Sequence, residues 1–464
     1  MIKVSFSVFY FFVFLIFSFA QFILSNNSND ELILVQAFWR HGDRSPITTY
    51  FNDPIKEDKW LQGWGQLTPK GMAQQVILGD KLAQRYIRDL NFVSPRYKSS
   101  EIYVTSTDFN RTLTSAISNM IGFYKNGEPG EDFPEGEDDY WWPKGFTPIA
   151  VHSTNKQQDS LVTDNTSPCP RLTELQKLIK KTPEYEKLVN EKKWIFDELT
   201  QLCGQTINIS NIGMLHDTLF IEDLYKNKLK LQMPKWTQNE SIRIEIKNIS
   251  NLINEWNNGR GLKPFNSVDF GLELPKIHGG PILWLLIGNM LAKMHCLKPD
   301  SDKNRTPRSI QNSSPLGDPI CQWISTRKYF AYSAHDSTLA ALFSTLGFPK
   351  SNYDEAGNPH YSTCITFELW LNNSGGGNPY IKAFYWPPEI KNNLEVTKHI
   401  IGCENNCNLE IFINRSEIYK AKPSIAEYCQ NTNFNPSFTS SSASKIQTTN
   451  FFLFLIILIF ILYQ

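Results

Sequence analysis

Three apolar runs along the chain stop abruptly in charged residues, and each stop is followed by a stretch of helical character. Leu32 to Phe38 is apolar apart from Gln36 and ends in Arg40-His41-Gly42-Asp43-Arg44-Ser45-Pro46. Glu101 to Thr105 leads into Ser106-Thr107-Asp108-Phe109-Asn110-Arg111-Thr112, and Thr112 to Tyr124 has helical spacing. Tyr329 to Ala334 leads into His335-Asp336-Ser337, and Thr338 to Leu346 reads as a helix stopped at Gly347. Short apolar runs bounded in this way predict buried strands. Strand followed by helix, repeated, predicts an α/β sheet, which takes its ligands at the carboxyl ends of its strands. Asp108 is placed to cap the helix that follows it, because its side chain can accept from free backbone amides.

The middle of the chain patterns differently. Leu172-Leu175-Leu178-Ile179 and Tyr185-Leu188-Val189 recur at helical spacing, with no alternation of strand and helix. This predicts a mainly helical cap, residues 155–275, inserted between two blocks of a discontinuous α/β core, residues 30–154 and 276–430. Thr363 to Leu371 and Pro379 to Tyr385 alternate like strands across Asn372-Asn373-Ser374-Gly375-Gly376-Gly377, an antiparallel hairpin signal. The sheet is therefore expected to be mixed and flanked by helices.

The ends of the chain have their own character. Lys3 precedes an apolar run from Val4 to Phe19, and Ser18-Phe19-Ala20 has the small residues a signal peptidase reads. Residues 1–20 are expected to be a cleaved export signal, with an uncleaved anchor helix as the alternative. Residues 431–450 form a Ser/Thr-rich linker, and residues 451–464 are an apolar tail. The run Phe451 to Tyr463 is shorter than the ~20 residues a spanning helix needs. Small residues, a polar spacer and an apolar tail match a GPI-anchor signal, with a short membrane-spanning anchor as the alternative. The expected place is the secretory pathway, at the cell surface or secreted, with a lysosome a weaker option. The only membrane contact expected is through this tail.

Composition agrees with export. The 46 basic and 46 acidic residues balance, which gives no support for nucleic-acid binding. Several Asn-X-Ser/Thr sequons mark a glycoprotein. Eight cysteines, an even number behind an export signal, predict disulfides.

The chemistry lies at the three strand ends. Arginine offers a planar, permanently charged fork that matches phosphate oxygens. Arg40 and Arg44 would repel each other unless an anion sat between them. His41 between them has a lone pair that can act as a nucleophile when the ring is neutral. Arg111 lies near a helix start, where free amides also favour an anion. His335 and Asp336 add a donor and a carboxylic acid. No His-Glu-x-x-His or Cys-x-x-Cys is present, and arginines repel cations, so neither metal nor cofactor is expected.

Together, in this order, the three motifs resemble those of the histidine acid phosphatase family, in its prostatic and lysosomal type. Asp53-Pro54-Ile55-Lys56, Gly65-Gln66-Leu67-Thr68, Cys169-Pro170-Arg171 and the stretch from Gly402-Cys403 to Cys407-Asn408-Leu409 are similar to that family too. The resemblance covers roughly residues 32 to 430 and is weakest between 180 and 275. It implies a histidine-phosphatase-like fold, with His41 as the nucleophile that becomes phosphohistidine. Arg40, Arg44 and Arg111 would hold the phosphate oxygens, with His335 as a further donor. Asp336 would protonate the leaving alcohol. The resemblance also implies the disulfides Cys169–Cys429 and Cys403–Cys407, while Cys203, Cys296, Cys321 and Cys364 allow three pairings. A homodimer is an option, because family members often dimerise.

The implied activity is hydrolysis of small-molecule phosphate monoesters, with an acidic pH optimum because the acid must start protonated. Two alternatives stay open. One is the same chemistry on lipid or inositol phosphates, and the other is a non-catalytic surface protein that binds a phosphorylated ligand.

Overall fold

In the computed structural model, residues 30–434 are described, except 136–141, 144, 156–158, 162–167, 298–317, 351–357, 373–376 and 391. The export signal, most of the Ser/Thr-rich linker and the apolar tail lie outside the described residues.

Strand β1 (Asp30–Arg40) is buried from Leu32 to its end. A strand covered on both faces needs a continuous apolar run instead of an alternating one, and Leu32 to Trp39 supplies it. The other strands are β2 (Ile102–Ser106), β3 (Val151–Ser153), β4 (Tyr329–Ala334), β5 (Cys364–Asn372), β6 (Asn378–Trp386) and β7 (Leu394–Glu395). They form one seven-stranded sheet in the order β3-β2-β4-β1-β5-β6-β7. β1, β2, β3 and β4 run parallel, and β5, β6 and β7 extend the sheet antiparallel from β1. The sheet is thus mixed, and the hairpin over β5 and β6 pairs Cys364 with Trp386 through Asn372 with Asn378.

Between β1 and β2 lies α1 (Pro69–Ala83), and after β2 comes α2 (Asn110–Phe123). Beyond β3 comes a run of helices with no strand among the described residues: α3 (Pro170–Ile179), α4 (Pro183–Glu191), α5 (Lys193–Cys203), α6 (Ile212–Tyr225) and α7 (Glu240–Asn257). The chain returns through α8 (Phe270–His278), α9 (Gly280–Leu297) and α10 (Pro319–Ile324) to β4, then α11 (Asp336–Leu346). The last helices are α12 (Leu409–Ser416) and α13 (Ile425–Gln430).

Each face of the sheet has its own core. Val35, Ala37, Trp39, Val104 and Ala331 pack with Leu78, Leu82, Met120 and Phe123 of α1 and α2. Leu34, Phe38, Phe330, Tyr332 and Phe367 pack with Leu286, Met290, Leu342 and Phe343 of α9 and α11. The strand-free helices have a separate core around Leu199, Leu215, Leu219, Ile246 and Ile249.

Three disulfides form, Cys169–Cys429, Cys296–Cys321 and Cys403–Cys407. Cys203 and Cys364 stay as buried thiols. They cannot meet, because Cys203 sits in the helical core and Cys364 in the sheet core against α1 and α2.

One buried charge cluster lies on the face of the sheet covered by α1 and α2. Glu368 of β5 is fully buried and accepts from Arg85 Nε at 2.5 Å, Arg85 Nη2 at 2.9 Å, Tyr86 hydroxyl at 2.9 Å and Trp370 Nε1 at 2.9 Å. A buried carboxylate is tolerated where its lone pairs are filled in this way.

Candidate active site

The three charged motifs meet because their strands are neighbours in register. β4 lies between β1 and β2, pairing Arg40 with Ala334 and Ser106 with Ser333. The residues that follow therefore emerge side by side at the carboxyl edge. Arg40, His41, Arg44, Arg111, His335 and Asp336 are all brought to this one place.

The loop after β1 is held tightly by α1. The His41 amide donates to Ala334 at 3.0 Å, and the Asp43 amide donates to Gln74 Oε1 at 2.8 Å. A Cβ on Gly71 would lie 2.1 Å from the Asp43 carbonyl oxygen, and one on Gly42 would lie 2.3 Å from the Gly71 carbonyl oxygen. Only two glycines let this loop and this helix come so close. Asp43 accepts from the hydroxyls of Thr68, at 2.6 Å, and Tyr225.

His41 is buried, and its Nδ1 lies 2.8 Å from the Gly42 carbonyl oxygen. A carbonyl only accepts, so Nδ1 carries the proton and the Nε2 lone pair is free. Burial, then the charges of Arg40, Arg111 and Arg44, hold the imidazole pKa well below its usual value. The surroundings thus favour the neutral ring.

The arginines are themselves arranged by contacts. The Arg40 guanidinium stacks 4.2 Å over the Tyr361 ring and meets Asp336 at 2.9 Å. Arg44 binds Asp217 of α6 with both terminal nitrogens, at 2.9 and 3.1 Å. Burial presses the Arg44 pKa down, but Asp217 more than reverses this and the net shift is upward. Arg111 stacks 4.7 Å over Phe109. Its pKa falls to about 10, because it is buried beside Arg44. The Nε donors of Arg40, Arg44 and Arg111 are buried with no protein partner among the described residues. Those are donors that a tetrahedral anion can fill.

His335 lies 3.0 Å by Nε2 from Thr107 Oγ1 and 3.3 Å by Nδ1 from Arg111 Nη2. The Thr107 hydroxyl donates to Thr112 Oγ1, so it accepts from His335. Nε2 then carries the proton and Nδ1 accepts from Arg111. In this geometry His335 supports Arg111, and a direct hydrogen bond to an anion needs a second ring proton. Burial, then Arg111, lowers its pKa to about 3.

For Asp336, burial raises the pKa, while Arg40 and Arg44 outweigh it and the net shift is downward. A bound anion that occupies those arginines returns the carboxyl toward its protonated form.

Asp108 does not cap α2. The cap position is Phe109, whose side chain has no oxygen to accept a capping bond and whose ring packs against His335 and Arg111. Asp217, Tyr225, Phe109, Tyr361 and Thr107 were not found by sequence reasoning. Asp217, Tyr225 and Tyr361 lie outside the charged motifs, and Thr107 and Phe109 are uncharged positions within one, so only the fold shows that they belong here. Among the described residues, one group with metal-ligand spacing occurs, His295, Asp318 and Cys321. Its sulfur is already committed to Cys296.

This fold and site are those of a phosphatase, and the chain belongs to the histidine phosphatase superfamily (branch 2), whose family model matches residues 31–385. Lysosomal acid phosphatase of Homo sapiens is 30% identical over 83% of this chain and 78% of its own length. Prostatic acid phosphatase of Rattus norvegicus is 29% identical over 82% of this chain and 85% of its own. The apo phytase of Hafnia alvei has the same fold, with a TM-score of 0.53 at 14% identity, covering 87% of this chain and 98% of that one. The enzyme class is acid phosphatase.

Proposed function

We propose that this protein is an exported phosphomonoesterase that works without a metal, through a phosphohistidine at His41, with an acidic pH optimum. The observation that carries the reading is a buried, neutral His41 with its Nε2 lone pair free, ringed by three arginines, with Asp336 on Arg40. In the first half, Nε2 attacks phosphorus and the ester P–O bond breaks. The proton of Asp336 goes to the departing alkoxide oxygen. In the second half, water attacks phosphorus, Asp336 takes one of its protons, and the N–P bond breaks. Arg40, Arg44 and Arg111 balance charge on the equatorial oxygens, and His335 keeps Arg111 in place.

The export signal at residues 1–20 and the apolar tail at 451–464 support a route through the secretory pathway to the cell surface. The helical cap, residues 155–275, would roof the site, with α6 holding Arg44 through Asp217.

The test is hydrolysis of p-nitrophenyl phosphate from pH 3 to pH 8 in EDTA, for wild type and His41→Ala. The expected result is activity that falls as pH rises and Asp336 loses its proton, survives the chelator and vanishes in the variant. Activity that peaks above neutrality, or that persists in His41→Ala, would sink the mechanism. Acid-labile radiolabel trapped on His41 from a labelled ester would identify the intermediate.

A further inference from the structure

Asp217 is an anion placed among groups that bind an anion. It comes from the strand-free helical region, on α6, and it holds both terminal nitrogens of Arg44. The Asp217 side chain is 27% exposed against 6% for Arg44, so the carboxylate lies on the outer side of the pair. Its charge also reaches Arg111 and Tyr361. The nearby cation Arg243 is already committed to Asp223.

The same helix is docked directly over the loop after β1. Thr218 donates to the Thr48 carbonyl at 2.9 Å, and Tyr225 donates to Asp43. In an in-line displacement begun by His41 the alcohol leaves on the side opposite His41. Asp217 is the carboxylate that α6 brings to the arginine cluster.

Charge bookkeeping shows what this does. With Asp336 protonated for catalysis, Asp217 offsets part of the positive charge of the three guanidinium groups. Less positive charge is then left for a second phosphate on the same substrate. We propose that Asp217 is a specificity-determining residue that screens the leaving group by charge. It admits monoesters of neutral or ammonium-bearing alcohols and turns away those carrying further phosphates. The proposal rests on the phosphomonoesterase reading above and deepens it.

The experiment compares kcat/KM for p-nitrophenyl phosphate, phosphoethanolamine and myo-inositol hexakisphosphate at one acidic pH, in wild type, Asp217→Asn and Asp217→Glu. A contact-range charge in a partly screened site changes a rate roughly tenfold or more. In Asp217→Asn, the hexakisphosphate rate relative to p-nitrophenyl phosphate should therefore rise roughly tenfold, and the phosphoethanolamine ratio should fall. Asp217→Glu should keep the wild-type ratios. If Asp217→Asn changes all three substrates by one common factor, Asp217 only positions Arg44 and the proposal is overturned. A wild type that prefers the hexakisphosphate also overturns it, while the phosphomonoesterase reading stands. A folded wild type that hydrolyses none of the three instead defeats the phosphomonoesterase reading.

Discussion

Glu222 lies one and a half turns beyond Asp217 on α6, and it is only 1% exposed. Its carboxyl meets that of Asp53, which is also held by the Thr49 hydroxyl and the Ile55 amide. Burial first, then the hydrogen bond to Asp53, pushes its pKa from 4.5 up to about 9. The folded protein therefore keeps a proton that the unfolded chain releases. The resulting stability is fully present below pH 4.5 and is lost progressively until pH passes about 9. Each pH unit inside that window is worth about 1.4 kcal/mol, or about 3 kcal/mol by pH 7. Glu222→Gln keeps a neutral donor toward Asp53 and removes the proton linkage. We expect the variant to match wild type at pH 4.5 and to exceed it by about 3 kcal/mol at pH 7. Thermal or urea unfolding at fixed rate from pH 4.5 to pH 8.5, with disulfides intact, measures the gap. A gap that does not widen with pH, or a variant less stable at pH 7, refutes the reasoning.

Two further outcomes follow from packing. Gly71→Ala puts a methyl against the Asp43 carbonyl and must shift the loop that carries His41. A displacement on this scale should lower kcat/KM by about a hundredfold with circular dichroism unchanged, and wild-type kinetics would contradict the account. Glu368→Gln leaves Arg85 half-buried without its carboxylate and should cost about 3–5 kcal/mol in urea unfolding. A cost under about 1 kcal/mol would mean that this cluster is as weak as a surface pair.

The strands were legible because β1 and β4 are buried on both faces and must be written as apolar runs. The residues at their ends were legible because each cluster of charge directly follows such a run. Gly347 was legible as a helix stop, and it takes a left-handed φ of 81° after α11. The helical region was legible, but its contact with the site was not. Asp217 reaches Arg44 across 173 residues of sequence, and a lone carboxylate on a helix has no periodicity to announce it. Asp108 misled because a good capping residue stood beside an aromatic with two stronger claims on its position. Cysteine spacing could not separate Cys296–Cys321 from the buried Cys203 and Cys364, since separate cores, not sequence distance, keep those thiols apart.

The strand order also governs when the enzyme can first act during its own synthesis. In the sheet, β1 touches only β4 and β5, and β2 is joined to β1 through β4. The ribosome delivers the chain from its amino end, so β1 waits for partners that begin at Tyr329. Until then His41 has no Ala334 carbonyl to anchor its amide and no Asp336 within reach. Such distant pairing is slow, and it leaves an apolar strand exposed to other chains for most of translation. A growing chain is therefore catalytically silent and most in need of folding helpers over the same interval, and both conditions end when β4 slots between β1 and β2.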